Sequence, residues 1–330
     1  MSLRSSVGRA GGVSCDSLEP RLLFVVVGAD AGAAPQVSVF NANDGQLRLA
    51  FMAYDVGFRG GVRVAASDIN GDGVTDIITA PGSGSSNVRV FDGDTGLQIA
   101  GPLGSFFAYD PGFTGGVFVA ARDVNGDGRN DIITGAGPGA GPHVKVFDGI
   151  TGNVLQSFYA YDPGFGGGVT VAAGDTNRDG DAEVVTGTWT GSSHVKVFDG
   201  ATNELLQSYF AYDGYNGGIY VSSGDVNNDN RRDIITGTRV GSSHVKVFDA
   251  RTGGLIRSFF AFDPALAGGV RLAGGTDVNN DGFGDIIVGT GPGGPPTIAI
   301  FSGRQDMSLL ETYYAFDVGF LGGIYVGGGA

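Results

Sequence analysis

A nine-residue acidic segment recurs along the chain and carries its most distinctive chemistry. The first copy, residues 68–76, reads D-I-N-G-D-G-V-T-D and places oxygen-bearing side chains at positions 1, 3, 5 and 9. Ca²⁺ prefers about six to eight oxygen ligands, and carboxylates at positions 1, 5 and 9, an amide at position 3 and a backbone carbonyl at position 7 supply such a set. Glycine at position 6 permits the sharp bend that brings these groups together. The segment therefore predicts a calcium-binding loop.

Five copies of this segment occur, at residues 68–76, 123–131, 175–183, 225–233 and 277–285. Mg²⁺ fits less well because it retains its waters and demands a stricter octahedral geometry. The third copy has Glu183 at position 9 and Asp181 at position 7, and the fourth has Asn230 at position 6. A calcium loop tolerates these changes, because asparagine enters the left-handed region readily and glutamate closes other calcium loops.

The alternative is that these Asp-Gly turns merely close hairpins. Five recurrences at fixed offsets favour calcium instead. The predicted ligands, from positions 1, 3, 5, 7 and 9 of the five loops, are Asp68, Asn70, Asp72, Val74, Asp76, Asp123, Asn125, Asp127, Arg129, Asp131, Asp175, Asn177, Asp179, Asp181, Glu183, Asp225, Asn227, Asp229, Arg231, Asp233, Asp277, Asn279, Asp281, Phe283 and Asp285.

The elements that position these loops form a regular repeat. The first aspartates of successive loops are 50 to 55 residues apart, an interval that suits a four-stranded blade. One unit reads G-G-V-T-V-A-A-G-D, E-V-V-T-G, H-V-K-V-F-D-G and L-L-Q-S-Y-F-A-Y-D in turn. In each block β-branched and aromatic residues alternate between turn residues, which predicts one short strand. No segment predicts a helix.

Each of the four strand types occurs six times, which predicts an all-β fold: a six-bladed β-propeller of four-stranded antiparallel blades. The strand at residues 322–327 has no partner after it, whereas residues 22–28 begin with the strand type that should come next. We therefore expect N- and C-terminal strands to share the last blade and leave no open sheet edge. An open solenoid is the alternative. Residues 22–330 are predicted to be this single propeller, and residues 1–21 an export, processing or disordered segment.

Composition excludes several other classes. The 330 residues include 62 glycines without a Gly-X-Y period, and 42% are hydrophobic, which excludes collagen and a disordered chain. A formal net charge of −14 disfavours nucleic acid as a partner. A lone cysteine, Cys15, excludes a disulfide framework. No apolar run approaches the length of a transmembrane helix.

Histidine is scarce and recurs at one repeat position. His143, His194 and His244 each precede a lysine by two residues. This pattern is consistent with a ring of ligand-binding groups, but duplication of a strand with one polar face explains it better. Zinc is disfavoured because equivalent positions on neighbouring blades lie far apart. A G-x-G-x-x-G match at residues 289–294 precedes two prolines and a strand rather than a helix. We expect no enzyme activity.

These motifs resemble the FG-GAP repeat family, the calcium-binding β-propeller blades of integrin α-subunits, also described in bacterial proteins as VCBS-like repeats. The resemblance rests on the G-F-x-G-G entries at residues 112–116 and 164–168, the D-x-N-x-D-G-x-x-D loop and the G-A-G-P exit at residues 135–138. It implies that the loop aspartates and asparagines bind Ca²⁺ and that the G-G-V strand is innermost. Integrin-type rings have seven blades. The six blades predicted here therefore weaken any inference that this chain binds the partners of integrins. Residues 18–23, L-E-P-R-L-L, are similar to a short segment of some exported bacterial repeat proteins.

The face opposite the acidic loops varies most among the repeats, and loops on a rigid scaffold often carry recognition. We expect a protein or glycan ligand there, with Trp189, Arg239, His143, His194 and His244 as candidate contacts. The expected function is a calcium-stabilised interaction or adhesion module that is secreted or at the cell surface. A carbohydrate-binding propeller, either a lectin or an accessory module of a polysaccharide-degrading system, is the alternative. An enzyme is a third possibility.

Overall fold

A computed structural model describes residues 23–328, which form 24 strands in six antiparallel sheets of four strands. Within this range there is no helix. The six sheets are the blades of a β-propeller, which confirms the predicted fold class. The predicted N-terminal segment at residues 1–21, together with Cys15, lies outside the described residues.

The strands of each blade follow one another in chain order from the centre of the ring outward, except in blade 6. Blade 1 contains β4 (Val62–Ser67), β5 (Asp76–Pro81), β6 (Asn87–Phe91) and β7 (Ser105–Phe107). Blade 2 contains β8 (Val117–Arg122), β9 (Asp131–Ala136), β10 (His143–Phe147) and β11 (Val154–Tyr159). Blade 3 contains β12 (Val169–Gly174), β13 (Glu183–Thr188), β14 (His194–Phe198) and β15 (Leu205–Phe210). Blade 4 contains β16 (Ile219–Gly224), β17 (Asp233–Thr238), β18 (His244–Phe248) and β19 (Leu255–Phe260). Blade 5 contains β20 (Val270–Thr276), β21 (Asp285–Thr290), β22 (Thr297–Phe301) and β23 (Leu309–Tyr314). Blade 6 contains β24 (Ile324–Gly328), β1 (Phe24–Ala29), β2 (Gln36–Asn41) and β3 (Leu47–Met52).

Blade 6 joins the two ends of the chain. Strand β24 is its innermost strand and pairs antiparallel with β1, with Val326 opposite Val27. The innermost strands also contact one another around the whole ring, from β4 through β8, β12, β16 and β20 to β24 and back to β4. This closure confirms the predicted last blade and rules out the open solenoid.

Burial decreases from the second strand of each blade to the fourth. The second strands, such as D-I-I-T-G-A in β9, are buried at every residue because neighbouring blades cover both faces. The outermost strands, such as β11 and β15, alternate exposed and half-buried residues. The apolar core therefore lies between the blades, and the sequence shows this as continuous Ile and Val in the second strands and alternation in the outer ones.

A buried tyrosine connects consecutive blades near the face opposite the acidic loops. The Tyr109 hydroxyl, at the end of blade 1, donates to the carbonyl of His143 in blade 2 at 2.8 Å. Tyr161 and Tyr212 make the same bond to His194 and His244, at 2.8 and 3.0 Å. These hydroxyls satisfy carbonyls at the blade edges and help fix the angle between adjacent blades.

The loops occupy two opposite faces. The acidic loops join first and second strands on one face, together with the turns between third and fourth strands. On the other face, the Gly-Gly pair before each innermost strand meets the preceding blade. Gly116 has a φ of 78°, and a Cβ on it would collide with the carbonyl of Gly82. Only glycine fits this close approach. The Gly-Gly pairs therefore allow the start of each innermost strand to pack against the preceding blade.

Candidate functional site

The five acidic loops have one shared geometry, built from side-chain to backbone hydrogen bonds. In the first loop, Asp68 accepts the backbone N–H groups of Gly71 and Gly73, at 2.6 and 3.0 Å. The Asn70 side-chain oxygen accepts the N–H of Asp72 at 2.9 Å. The bonds from position 6 to position 1 and from position 5 to position 3 recur in all five loops. The predicted ligand positions are therefore brought together in each loop.

The carboxylate at position 9 begins the second strand and is fully buried in every loop. It accepts the N–H of the residue at position 2, as Asp76 does from Ile69 at 2.9 Å. The bond recurs at Asp131, Glu183, Asp233 and Asp285. Each position-9 carboxylate thus closes its loop and faces inward.

Burial makes these carboxylates costly to ionise. It raises the pKa of Asp76, Asp131 and Asp285 to about 6 and that of Asp233 to about 7, and it raises the pKa of Glu183 as well. Neighbouring carboxylates of the same loop push each pKa in the same direction. A bound proton or cation would offset both effects, because either removes the uncompensated negative charge.

A cluster of three acidic side chains lies at the third loop. Asp179, Glu183 and Asp199 each place one oxygen within 4.8 Å of the other two, and no other three His, Cys, Asp or Glu side chains in residues 23–328 do so. Asp199 was not predicted as a ligand, because it lies outside the nine-residue segment, in the turn after β14. Asp148 and Asp249 border the second and fourth loops in the same way, 3.5 and 3.4 Å from a loop asparagine amide. The V-F-D motif, whose aspartate follows position 9 of the first four loops by 16 or 17 residues, is the signal that could have identified them.

The donor set fits a hard cation. Asp76 Oδ1 is buried and has no hydrogen-bond partner within the described chain. The Asn70 amide nitrogen donates to Asp72 at 2.9 Å, and the same contact recurs in the second, third and fifth loops. A half-turn of this amide exchanges two groups of nearly equal size and presents oxygen instead. Carboxylate and amide oxygens around a buried acceptor without a partner are the ligands that Ca²⁺ prefers.

The histidines have structural partners instead of a shared pocket. His143 Nε2 lies 2.8 Å from Ser157 Oγ, and its ring packs between Tyr109 and Tyr159. His194 and His244 repeat this arrangement in the next two blades. The lysine two residues on donates to a carbonyl of the preceding blade, as Lys145 does to Ala108 at 3.0 Å. The structure therefore places the histidines in separate blade interfaces.

Trp189 and Arg239 do come together, at the mouth of the central channel on the face opposite the acidic loops. The Arg239 guanidinium lies 4.7 Å from the centre of the Trp189 ring. Both line a cavity of about 430 Å³ whose wall also contains Tyr220, Arg271 and Tyr325, and none of the three histidines lines it. We refer to this feature as the channel mouth.

The sequence did not identify the innermost-strand residues of the channel mouth. They occupy the second position of the G-G-V strand, where the six blades carry Arg63, Phe118, Thr170, Tyr220, Arg271 and Tyr325. Valine or isoleucine flanks this position on the N-terminal side in every blade. A variable position between constant apolar neighbours was the available signal.

Comparison with known proteins agrees with this architecture. The family model "FG-GAP-like repeat" matches residues 68–134, from the first acidic loop through the second. Residues 68–134 are thus similar to an FG-GAP-like repeat. The predicted resemblance is thus confirmed in this part of the chain, while residues 18–21, the part of the L-E-P-R-L-L motif within the N-terminal segment, lie outside the described residues.

The remaining comparisons concern the chain as a whole. No curated protein matches the chain. A solved structure described as a protein of unknown function from Bacteroides caccae is similar at a TM-score of 0.58 and 13% identity, covering 93% of this chain and 98% of that chain. At this identity the likeness concerns the fold alone. In the described part of the chain, no helix is long and apolar enough to cross a membrane.

Proposed function

We propose that this FG-GAP-like propeller is a calcium-stabilised interaction module that works outside the cell or at its surface. The acidic loops would hold Ca²⁺ ions as structural elements, and the channel mouth on the opposite face would receive the ligand. The observation that carries the calcium proposal is the set of five buried position-9 carboxylates, each in a loop that turns further oxygens inward.

The proposed location outside the cell is consistent with the affinity of oxygen loops in extracellular modules. Oxygen loops of extracellular modules bind Ca²⁺ at about 10⁻⁴ to 10⁻³ M. Such sites are filled by millimolar calcium and remain empty at cytosolic concentrations. Binding rather than catalysis is proposed because the acidic groups are engaged in loop geometry and the histidines in blade contacts.

Calorimetric titration of the chain with CaCl₂ tests the calcium proposal. We expect about five ions to bind and MgCl₂ to compete weakly. Asp179→Asn should remove or weaken one site. Asp94→Asn makes the same charge change outside the loops, in a surface pair with Arg48, and should leave the titration unchanged. Absence of binding heat, or melting that is identical in calcium and in chelator, would refute the proposal.

A carbohydrate-binding function is the second candidate, and one observation favours it. Trp189, half-buried, lies beside Tyr220 with its indole nitrogen 3.5 Å from the tyrosine hydroxyl. Aromatic rings with a polar edge in a concave site are suited to ring-shaped polar ligands. Binding on a glycan array that is lost in Trp189→Ala would support this function over adhesion to a protein.

A further inference from the structure

The channel mouth contains an arginine without a polar partner. Arg63 is only 4% exposed, and its Nε and Nη1 atoms are buried with no hydrogen-bond partner within the described residues. Leaving two such donors unsatisfied is costly, so natural structures normally provide a protein group, water or a ligand for them. The two Arg63 donors are therefore available to water or to a ligand group at this point.

The surroundings of Arg63 restrict how that group approaches. Its guanidinium carbon lies 3.5 Å from the centre of the Phe118 ring, so this ring covers one face of the guanidinium. Tyr325 and Trp189 lie at 5.7 and 5.9 Å. Because Phe118 covers one face of the guanidinium, the N–H edge is the side through which an acceptor can reach its donors. An acceptor in the guanidinium plane, such as a carboxylate, matches that geometry.

The charge balance at the channel mouth is positive. Arg63, Arg239 and Arg271 gather there, and the acidic side chain that lines it is Asp30. Asp30 already pairs with Arg271 at 3.0 Å. Among residues 23–328, Arg63 and Arg239 therefore have no carboxylate partner, in a protein whose formal net charge is −14. The positive charge is local, which favours an anionic ligand at this site over the rest of the surface.

Two adjoining cavities give the size of the ligand. The smaller, about 60 Å³, is lined by Arg63, Phe118 and Thr170, and the larger, about 430 Å³, by Trp189 and Arg239. Tyr220, Arg271 and Tyr325 line both. The small cavity has room for an anionic head and the large one for a ring that stacks on aromatic walls.

We propose that the channel mouth binds a carboxylate carried on a ring, with the carboxylate at Arg63 and the ring among Trp189, Tyr220 and Tyr325. This rests on the proposed interaction function and specifies its ligand. A uronic acid and an aromatic acid share this chemistry. An acidic peptide is disfavoured because the backbone groups at the rim are already paired, as in the bonds from Trp189 to Gly168 and from Arg239 to Gly218.

Calorimetry on the calcium-saturated chain tests the proposal with sodium glucuronate, sodium benzoate, sodium acetate and glucose at constant chloride. Glucuronate or benzoate should bind, and acetate and glucose at least tenfold more weakly. Binding of glucuronate alone supports a sugar ligand, and binding of benzoate alone supports an aromatic acid. The proposal is overturned if acetate or glucose binds as tightly as glucuronate and benzoate. It is also overturned if a poly-glutamate peptide binds and the two ring acids do not, or if none of these compounds binds.

Variants from the repeat itself provide the controls. Arg63→Thr copies the residue of blade 3 and should weaken binding about tenfold or more, because charge-assisted hydrogen bonds are lost. Arg63→Tyr introduces the residue that blades 4 and 6 have at this position, and it replaces Arg63→Thr in the experiment if that variant does not fold. Arg59→Thr, an exposed position on the same face, makes the same charge change and should not alter binding. Unchanged binding in a folded Arg63 variant overturns the assignment, whereas a normal calcium titration of that sample leaves the proposed calcium function standing.

Discussion

The backbone N–H of Ala182, in the third acidic loop, donates a 2.8 Å hydrogen bond to the carbonyl of Asp123, the first residue of the second loop. The fourth and fifth loops repeat the link, from Arg232 to Asp175 at 2.9 Å and from position 8 of the fifth loop to Asp225 at 2.6 Å. In the second loop a side-chain amide at position 8 bonds to the carbonyl of Asp68 at 3.0 Å. The five loops are therefore joined in series, each link running from position 8 of one loop to the carbonyl of position 1 of the preceding loop.

This linkage predicts that the proposed calcium sites are coupled. Glu183→Gln removes a buried negative charge next to Ala182, and we expect it to abolish or weaken the third site and also to lower affinity in the second by a few-fold. Glu183→Asp is the matched control, because the other four loops have aspartate there. Calorimetric titration of both variants measures the effect. If Glu183→Gln loses one site while the remaining affinities stay unchanged, the loops are independent.

Calcium removal should lower the stability of the whole ring. At free Ca²⁺ tenfold above Kd, each site adds about 1.4 kcal/mol to the free energy of unfolding, so five sites add about 7 kcal/mol. That is comparable to the stability of a whole domain. Urea unfolding followed by fluorescence of Trp189, the single tryptophan, in calcium and in EDTA measures the difference. Asp94→Asn should reproduce the wild-type shift, and equal urea midpoints in the two buffers would contradict the expectation.

The pH dependence of the calcium-free chain has a defined sign. Burial raises the pKa of Asp76 and Asp131 to about 6 and of Asp233 to about 7, above the value of an unfolded aspartate. The folded state then binds more protons than the unfolded state between pH 4 and 7, so stability is present at low pH and is lost as pH rises through 6 to 7. In metal-free buffer, the urea midpoint should be higher at pH 5 than at pH 7.5.

Calcium should reverse this trend, because protons compete with the ion for the same carboxylates. Asp76→Asn removes one of the titrating groups and should reduce the slope in metal-free buffer. A metal-free chain that becomes less stable on acidification from pH 7.5 to 5 would show that the position-9 carboxylates do not control its stability.

The fold could be predicted from the sequence because the strand and loop motifs that define each blade repeat along the chain. Six recurrences of each strand type predicted the number of blades, and the unpaired strand at each end predicted the blade that β24 and β1 share. The acidic loops were predictable because their ligand positions are contiguous in sequence. The nine-residue pattern does not include Asp199, because this residue joins the carboxylates of the third loop from a separate turn, after a further strand.

The channel mouth could not be predicted because its residues come from different repeats. Arg63, Phe118 and Tyr325 are far apart in sequence and meet only where innermost strands converge on the axis. Trp189 and Arg239 lie in loops that vary among the repeats, but the cavity they share depends on the angles between blades, which no local pattern encodes. The three histidines, in contrast, recur at one repeat position that is easily seen in the sequence, but in the structure they pack against aromatic rings at the blade interfaces.

The tyrosine bridges between blades give a test of how the ring is held together. The buried Tyr109 hydroxyl donates to the carbonyl of His143 at 2.8 Å, and Tyr109→Phe removes this bond while keeping the ring. Blades 4 and 5 end with Phe262 and Phe316 at the equivalent position, so phenylalanine fits there. We expect a loss of about 1 kcal/mol in the free energy of unfolding. Tyr314→Phe, at a residue that is 55% exposed, is the matched control and should cost much less. Urea unfolding in calcium measures both variants, and equal losses would mean that the bridge does not stabilise the contact between blades.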